Sequence, residues 1–360
     1  MADHKSWVAL NMVKGLTPSN KKKLLSRFHS PQRILAASFK ELSEVSEVIA
    51  KKIVEQRDGL KVEEEISLAK DRDVKIVTLE DELYPTNLRS IFDPPIVIYL
   101  KGEVRAEDSI AISIVGSRMA TLDGRLTAER FSSSLALVGV TVVSGMARGI
   151  DSAAHRGALK SGGRTIAVLG SGLDVIYPPE NRRLFEEIAK NGAVISEFPF
   201  GTEPKGYNFP QRNRIISGLS LGVVVVEAAA KSGALTTANL ALEQGREVFA
   251  VPGRVSSRQS KGTNRLIKEG AKLTESVDDI LEEFEFLKDR LGCRSEEEKG
   301  IDLSREEKKV YDLLSKEEPT HIDMITNKSG LSSQQVASTL MGLELKNLTR
   351  QLRGTMFVSL

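Results

Sequence analysis

The sequence predicts an α/β protein: an extended Rossmann-like, doubly wound sheet, preceded by a small helical domain of the SAM or helix-hairpin-helix kind and followed by a winged helix. Three observations predict it. Short β-branched runs at Ile110–Val115, Thr141–Val143, Thr165–Leu169, Ala193–Ser196, Val223–Val226 and Val248–Val251 recur without polar alternation, as strands buried on both faces of a parallel sheet do. Between them lie amphipathic segments such as Arg125–Val138, Asn181–Ala189 and Thr236–Gln244, each long enough for a crossover helix. Residues 303–360 read as three helices and a short hairpin, the pattern of a winged helix-turn-helix.

Taken in order, residues 1–60 are helical in pattern and carry eleven Lys and Arg against six acids, a net +5. Residues 61–108 hold a short strand at Lys75–Leu79, a proline-rich stretch (Tyr84-Pro85, Asp93-Pro94-Pro95) and the apolar run Ile96–Leu100, which reads as edge strands added to the main sheet. The first two zones therefore lead into a sheet domain spanning 61–285. Residues 286–302, with Arg294-Ser-Glu-Glu-Glu-Lys299, read as a solvated charged linker. In 303–360, Asn327-Lys-Ser-Gly-Leu331 supplies a turn, Ser332 an N-cap, and Arg353-Gly354 a hairpin turn into Met356–Val358.

Composition bounds the function. The 360 residues are 40% hydrophobic, ample for one large core. Aromatics at 5% argue against an all-β sandwich. A formal charge of +2 gives no global basic field, so any polyanion site must be local. The single cysteine, Cys293, rules out an intramolecular disulfide and a cysteine-rich zinc site, and a reduced cytoplasmic setting is the expectation. No metal site is expected, since His4, His29, His155 and His321 have no ligand spacing. The start, MADHKSWVALNMVKG, lacks a signal-peptide run, and no 18-residue apolar stretch occurs, so no membrane partner is expected.

Chemistry gathers at strand ends. After Ile110–Val115 comes Gly116-Ser117-Arg118, then a helix beginning near Thr121–Asp123. Glycine lets a ligand approach the backbone, the helix start favours an anion, and the arginine fork suits phosphate oxygens. A tight turn with an exposed arginine is the plainer reading of that tripeptide. A second loop, Ser144-Gly145-Met146-Ala147-Arg148-Gly149-Ile150-Asp151, repeats the chemistry, with Asp151 or Ser152 as a cap for the next helix. Lys205-Gly-Tyr-Asn-Phe209-Pro-Gln-Arg212-Asn213-Arg214 is basic and aromatic without an acid, the pairing of sequence-tolerant single-strand binding. Alternatively Phe209 packs in the core and the arginines form structural ion pairs. A fourth loop, Glu227-Ala-Ala-Ala-Lys231-Ser232-Gly233-Ala234-Leu235-Thr236-Thr237, is rich in small residues and hydroxyls and offers Ser232 and Gly233 to the same pocket or as a plain cap. Glu227 has the type of a catalytic carboxylate but no partner legible in the sequence, and His155 reads as a packed helix residue.

Taken together, the segments 114–118 (IVGSR), 144–155 (SGMARGIDSAAH), 196–201 (SEFPFG), 209–220 (FPQRNRIISGLS) and 227–238 (EAAAKSGALTTA) resemble the DNA-processing protein A (DprA/Smf) family, with the upstream Tyr84-Pro85 and Asp93-Pro94-Pro95 pattern similar too. The resemblance covers about residues 70–285. It implies a recombination mediator without established catalytic activity or cofactor. Such a protein binds single-stranded DNA, helps displace the single-strand-binding protein, loads a RecA-type recombinase during natural transformation, and forms a homodimer through its core. By motif position, Gly116, Ser117, Arg118, Gly145 and Arg148 would cradle phosphate. Lys205 and Phe209 would be a DNA-contacting lysine and a base-stacking aromatic, with Arg212, Asn213, Arg214, Ser232 and Gly233 beside them. One groove formed by loops 116–118, 145–149 and 205–214 is the expectation.

The flanking zones depart from a duplex-binding pattern. Val45-Ser46-Glu47-Val48 lacks the glycines of a phosphate-binding hairpin. From Asp302 onward basic and acidic residues balance at eight each, and the presumed recognition helix Ser333–Leu345 carries only Glu344 as a charge. A protein-contact or spacer role suits it. Two rival readings remain. A dinucleotide oxidoreductase needs G-x-G-x-x-G, which Gly170-Ser-Gly172-Leu-Asp-Val175 breaks at the third glycine. A nucleotide-binding protein or nucleoside-monophosphate hydrolase of the lysine-decarboxylase-like group needs a P-G-G-x-G-T loop, where this chain has Lys231–Thr237.

Overall fold

The computed structural model describes residues 4–284, 303–315, 319–346, 348–352 and 354–359. The chain divides into two compact units, Met1–Asp289 and Arg290–Leu360. The expected linker 286–302, with Cys293, and Arg353 of the hairpin turn lie outside the described residues.

The first unit opens with helices α1 (His4–Met12), α2 (Pro18–Phe28), α3 (Pro31–Ala36), α4 (Phe39–Ser43), α5 (Glu47–Gln56) and α6 (Val62–Asp71). Their starts are written locally. Thr17 accepts from the Asn20 amide ahead of Pro18, Ser30 caps ahead of Pro31, and Ser38 with Glu41 closes a capping box. Trp7, Leu10, Leu24, Ile34, Leu42 and Ile53 then share one buried cluster with Val97, Tyr99, Leu169 and Phe185 of the sheet side.

The sheet has nine strands in the order β1-β2-β6-β5-β4-β3-β7-β8-β9. These are β1 (Lys75–Thr78), β2 (Val97–Gly102), β3 (Ala111–Val115), β4 (Thr141–Ser144), β5 (Thr165–Val168), β6 (Ala193–Ser196), β7 (Gly222–Val225), β8 (Glu247–Ala250) and β9 (Lys272–Leu273). β2 pairs antiparallel with β1 and β6, and β3 to β9 are mutually parallel. β3 to β7 are buried along their whole length, which explains their unalternated sequence. The edge-strand reading of 75–100 and the doubly wound centre both hold.

Helices α7 (Thr86–Arg89), α8 (Leu122–Leu137), α9 (Ile150–Lys160), α10 (Arg182–Asn191), α11 (Asn208–Leu219), α12 (Gly233–Glu243), α13 (Lys261–Lys268) and α14 (Asp278–Leu281) complete the unit. α11 corrects one expectation. Residues 208–214 are its first turns rather than a loop, because Ile215, Ile216 and Leu219 bury into the core at helical spacing. Chain order runs outward from β3 through β4, β5 and β6 on one side and through β7 on the other. The order therefore reverses between β3 and β7, the place where open α/β sheets leave a crevice at their carboxyl edge.

The second unit is a winged helix: α15 (Arg305–Tyr311), β10 (Thr320–His321), α16 (Ile322–Ser329), α17 (Ser333–Leu345), β11 (Thr349–Leu352) and β12 (Met356–Ser359). Its sheet order is β10-β12-β11. Gly330 turns the chain at φ 68° after α16, and Ser332 caps α17 in a capping box with Gln335. Val310, Ile325, Val336, Leu340, Leu343 and Phe357 form its own core.

Candidate functional site

A cleft of about 600 Å³ opens over the β3/β7 reversal. The turn after β3 supplies Gly116, Ser117 and Arg118, the loop after β7 supplies Ser232 and Gly233, and α11 supplies Phe209, Arg212 and Asn213. Eight of the sequence-predicted residues therefore meet at one place.

The β3 turn is built around close approach. A Cβ on Gly116 would sit 2.6 Å from the Ile150 side chain and 2.9 Å from the Glu227 carbonyl oxygen. Gly149, at φ 78°, passes so near that a Cβ there would lie 2.2 Å from the Ser117 carbonyl oxygen. Glu227 fixes the turn twice. Its carbonyl accepts from the Ser117 amide at 2.8 Å, and its carboxylate accepts from the Thr121 amide and hydroxyl at 2.9 and 2.6 Å. The acid without a legible partner is thus a clamp on the start of α8, where Thr121 caps the helix by accepting from Gly124.

Arg118 is exposed, and its guanidinium lies 4.5 Å from the centroid of the Phe209 ring, a cation over an aromatic face. Phe209 is half-buried between the cleft and Tyr177, whose ring centroid is 5.9 Å away. It therefore packs against Tyr177 and beneath Arg118 while its remaining surface lines the cleft. α12 begins at the cleft, with Ser232 accepting from the Ala234 amide and Gly233 leading the helix; a helix start of this kind favours an anion.

Arg212 lies on the cleft floor, 3% exposed, donating to the carbonyls of Gly145 (2.8 Å) and Val168 and to Asn213 Oδ1. Burial pushes its pKa down to about 10, with Asp151 opposing the shift, so it stays cationic at neutral pH. Asp151 is the cleft's acid. Burial raises its pKa, while Arg212 and Arg118 nearby and the amides of Ala147 and Gly145 lower it. With Arg258 at the rim, the lining carries three arginines against one carboxylate.

Four expected residues stand elsewhere. Gly145 lies behind the cleft, small because a Cβ there would meet the Arg212 guanidinium at 2.6 Å. Arg148 is exposed and paired with Glu180 outside the lining. Lys205 lines a different cleft, among the helices of the first 71 residues. Arg214 corrects the expectation most sharply. It is 4% exposed, donates to Glu197 and lies 3.7 Å from Asp93, a structural ion pair rather than a cation facing solvent. Of the expected groove, 116–118 and the 206–213 stretch line the cleft and loop 145–149 contributes Ala147 alone, while the 229–237 segment is added.

The sequence reading missed Arg258 and the cleft role of Asp151. Arg258 comes from a turn after β8 with no local signature. Neither Asp151 nor Ser152 caps the helix: Gly149 occupies that position, and the Asp151 carboxylate accepts from the Ala147 amide. His155 is packed, as expected: it is fully buried with Nδ1 2.7 Å from Thr165 Oγ1, and burial pushes its pKa down to about 3. Among the described residues no cluster of three or more His, Cys, Asp or Glu could hold a metal, and no helix is long and apolar enough to cross a membrane.

Comparison with known proteins gives a consistent picture. Residues 75–285 match a family model described as DNA recombination-mediator protein A, and residues 294–355 match the DprA winged helix domain. Protein Smf of Escherichia coli K12 is 41% identical over 277 residues, covering 75% of this chain and 73% of that one. The X-ray structure of DNA processing protein A from Streptococcus pneumoniae superposes with a TM-score of 0.69 at 35% identity, covering 79% of this chain and 98% of that one. DNA processing protein A from Helicobacter pylori superposes at 0.53 with 32% identity, covering 60% and 97%; its structure is described in terms of a single-stranded DNA binding mode.

Proposed function

The chain belongs to the DNA recombination-mediator protein A (DprA/Smf) family, and on that premise we propose that it binds single-stranded DNA in the switch-point cleft and delivers it to a RecA-type recombinase. A DNA-processing recombination mediator is the class. The observation that carries the finer reading is the Arg118 guanidinium held over a half-exposed Phe209 face at the mouth of a cleft with three arginines and one acid. Phosphate oxygens take the arginine forks and the leading amides of α12, while a base stacks on the ring; neither contact reads sequence. A duplex offers no free base face, so the arrangement favours single strands.

Homodimerisation and contact with the single-strand-binding protein belong to the same proposal, and the balanced charge of the second unit suits a protein contact there. Binding without catalysis is supported by the commitments of the acids and bases near the cleft. Glu227 is taken up by Thr121, the Asp151 carboxylate accepts from the Ala147 amide, and His155 is fully buried.

Fluorescence anisotropy of the full chain with a 20-mer of thymidylate and with a duplex, at two salt concentrations, tests the reading. Single strands should bind tighter than duplex. Arg118→Ala should weaken that binding and lower the slope of log K against log salt by about 0.7, one single-strand phosphate contact. Equal affinity for both forms, or an Arg118→Ala protein with an unchanged midpoint and slope, overturns it. Base release from nucleoside monophosphates at a useful rate would move the chain to the hydrolase reading instead.

A further inference from the structure

A second cleft, of about 730 Å³, lies between the first helices and the loops beyond β6. The segment 205–211 is its wall and also the wall of the first cleft. Gly206, Phe209 and Pro210 line one side, and Lys205, Tyr207, Asn208 and Gln211 line the other. A strand leaving the Phe209 face needs to cross only the first turn of α11 to enter it.

The two clefts differ in charge. The first holds Arg118, Arg212 and Arg258 against Asp151, whereas the second balances Lys14, Lys21 and Lys205 with Glu65, Glu197 and Glu203. An excess of cations suits phosphate; a balanced lining suits an uncharged polar ring. The second lining also has an unspent acceptor. Glu197 is 5% exposed, its Oε2 is held by Arg214, and its Oε1 has no hydrogen-bond partner. A buried acceptor left unpaired is destabilising, and a ligand N–H that reaches it relieves it. Beside it the Lys21 ammonium donates to Asn11 Oδ1 at 2.7 Å and to the Asn11 carbonyl at 3.3 Å, which leaves its third N–H. At the mouth, Tyr207 is 69% exposed, with Lys14 and Lys205 also exposed.

We propose that this second cleft is a base-accepting subsite for the same DNA strand that occupies the first, with Tyr207 as its stacking platform, the Glu197 carboxylate and Lys21 ammonium as its floor, and Lys14 and Lys205 holding the connecting phosphates. The inference rests on the single-strand reading of the first cleft. Every nucleobase edge offers at least one donor and one acceptor, so a floor with both accepts any base, in keeping with sequence-tolerant binding. The N-terminal helices thereby contribute to DNA binding without duplex contacts.

The test is photocrosslinking of the full-length protein to thymidylate 20-mers carrying one 5-iodo-deoxyuridine at each position in turn, with the attached peptide identified by mass spectrometry. One position should attach at Phe209 and a position a few nucleotides away at Tyr207. Tyr207→Ala should remove the second attachment and raise the Kd about 5- to 160-fold, the range of one lost base stack; Lys14→Ala should lower the salt slope by about 0.7. Both side chains are exposed, so neither change threatens folding. Wild-type affinity in Tyr207→Ala alongside weakened binding in Arg118→Ala overturns the second subsite and leaves the first standing. Unchanged binding in both overturns the first as well. Tighter binding of free thymidine monophosphate than of the strand, blocked by Tyr207→Ala, would assign the cleft to a free nucleotide and also overturn the proposal.

Discussion

At the level of single residues, two arginines illustrate how little residue type says by itself. Arg118 and Arg214 both belong to motif segments that point to DNA, yet one is exposed over Phe209 and the other is paired with Glu197 in the core. They should separate experimentally. Arg214→Ala leaves a buried carboxylate unpaired and should cost about 3–5 kcal/mol of stability, seen as a lowered urea midpoint, with DNA affinity per folded molecule kept. Phe209→Ala should cost about 1–3 kcal/mol of single-strand affinity, and full affinity with only a lowered melting temperature would return the ring to a packing role. His155 gives a pH signature. Its folded pKa, about 3, lies below the unfolded value of 6.5, so the unfolded chain takes up a proton that the native state refuses. Its contribution is intact above pH 6.5 and is lost as pH falls toward 3. His155→Asn should flatten that part of a stability-against-pH curve, and an unaltered curve would mean another group sets the acid limit.

Among elements, strands were legible and one helix was not. β3 to β7 announce themselves because burial on both faces demands unbroken β-branched runs. α11 was hidden by its polar start: Lys205 to Arg214 has the composition of a loop, and only Ile215, Ile216 and Leu219 carry the helical period. Once the helix is recognised, Phe209, Arg212, Asn213 and Ile216 fall at i, i+3, i+4 and i+7, the face that lines the cleft, and Arg214 falls off it. The motif residues of the site could be found in sequence because they are local. Arg258 could not, since its place depends on β8 pairing beside β7. The turn after β3 makes the sharpest demand at this scale. Gly149→Ala must force a Cβ into the Ser117 carbonyl at a positive φ, so it should lose at least about 2 kcal/mol of stability and loosen single-strand binding together with it. A variant with wild-type melting and wild-type Kd would show that the two loops can separate freely.

For the molecule as a whole, the two units have separate cores. A fragment of residues 1–289 should therefore fold and keep the single-strand affinity of the full chain within about twofold, because both clefts lie inside it; a tenfold loss in anisotropy titrations would give the winged helix a direct share in DNA binding. By contrast, removing residues 1–71 strips the cover from Val97, Tyr99 and Leu169, and such a fragment should be insoluble or open.

The double hold that Glu227 exerts on Ser117 and Thr121 has a consequence in time. The turn proposed to hold phosphate lies a third of the way along the polypeptide, but the residue that closes it is almost two thirds of the way along. While the protein is being made, everything up to β6 can leave the ribosome and the grip still has nothing to close against. On the proposed function, the ability to hold a strand arrives late in synthesis and all at once, and prematurely terminated products ending before residue 227 should be unable to sequester DNA.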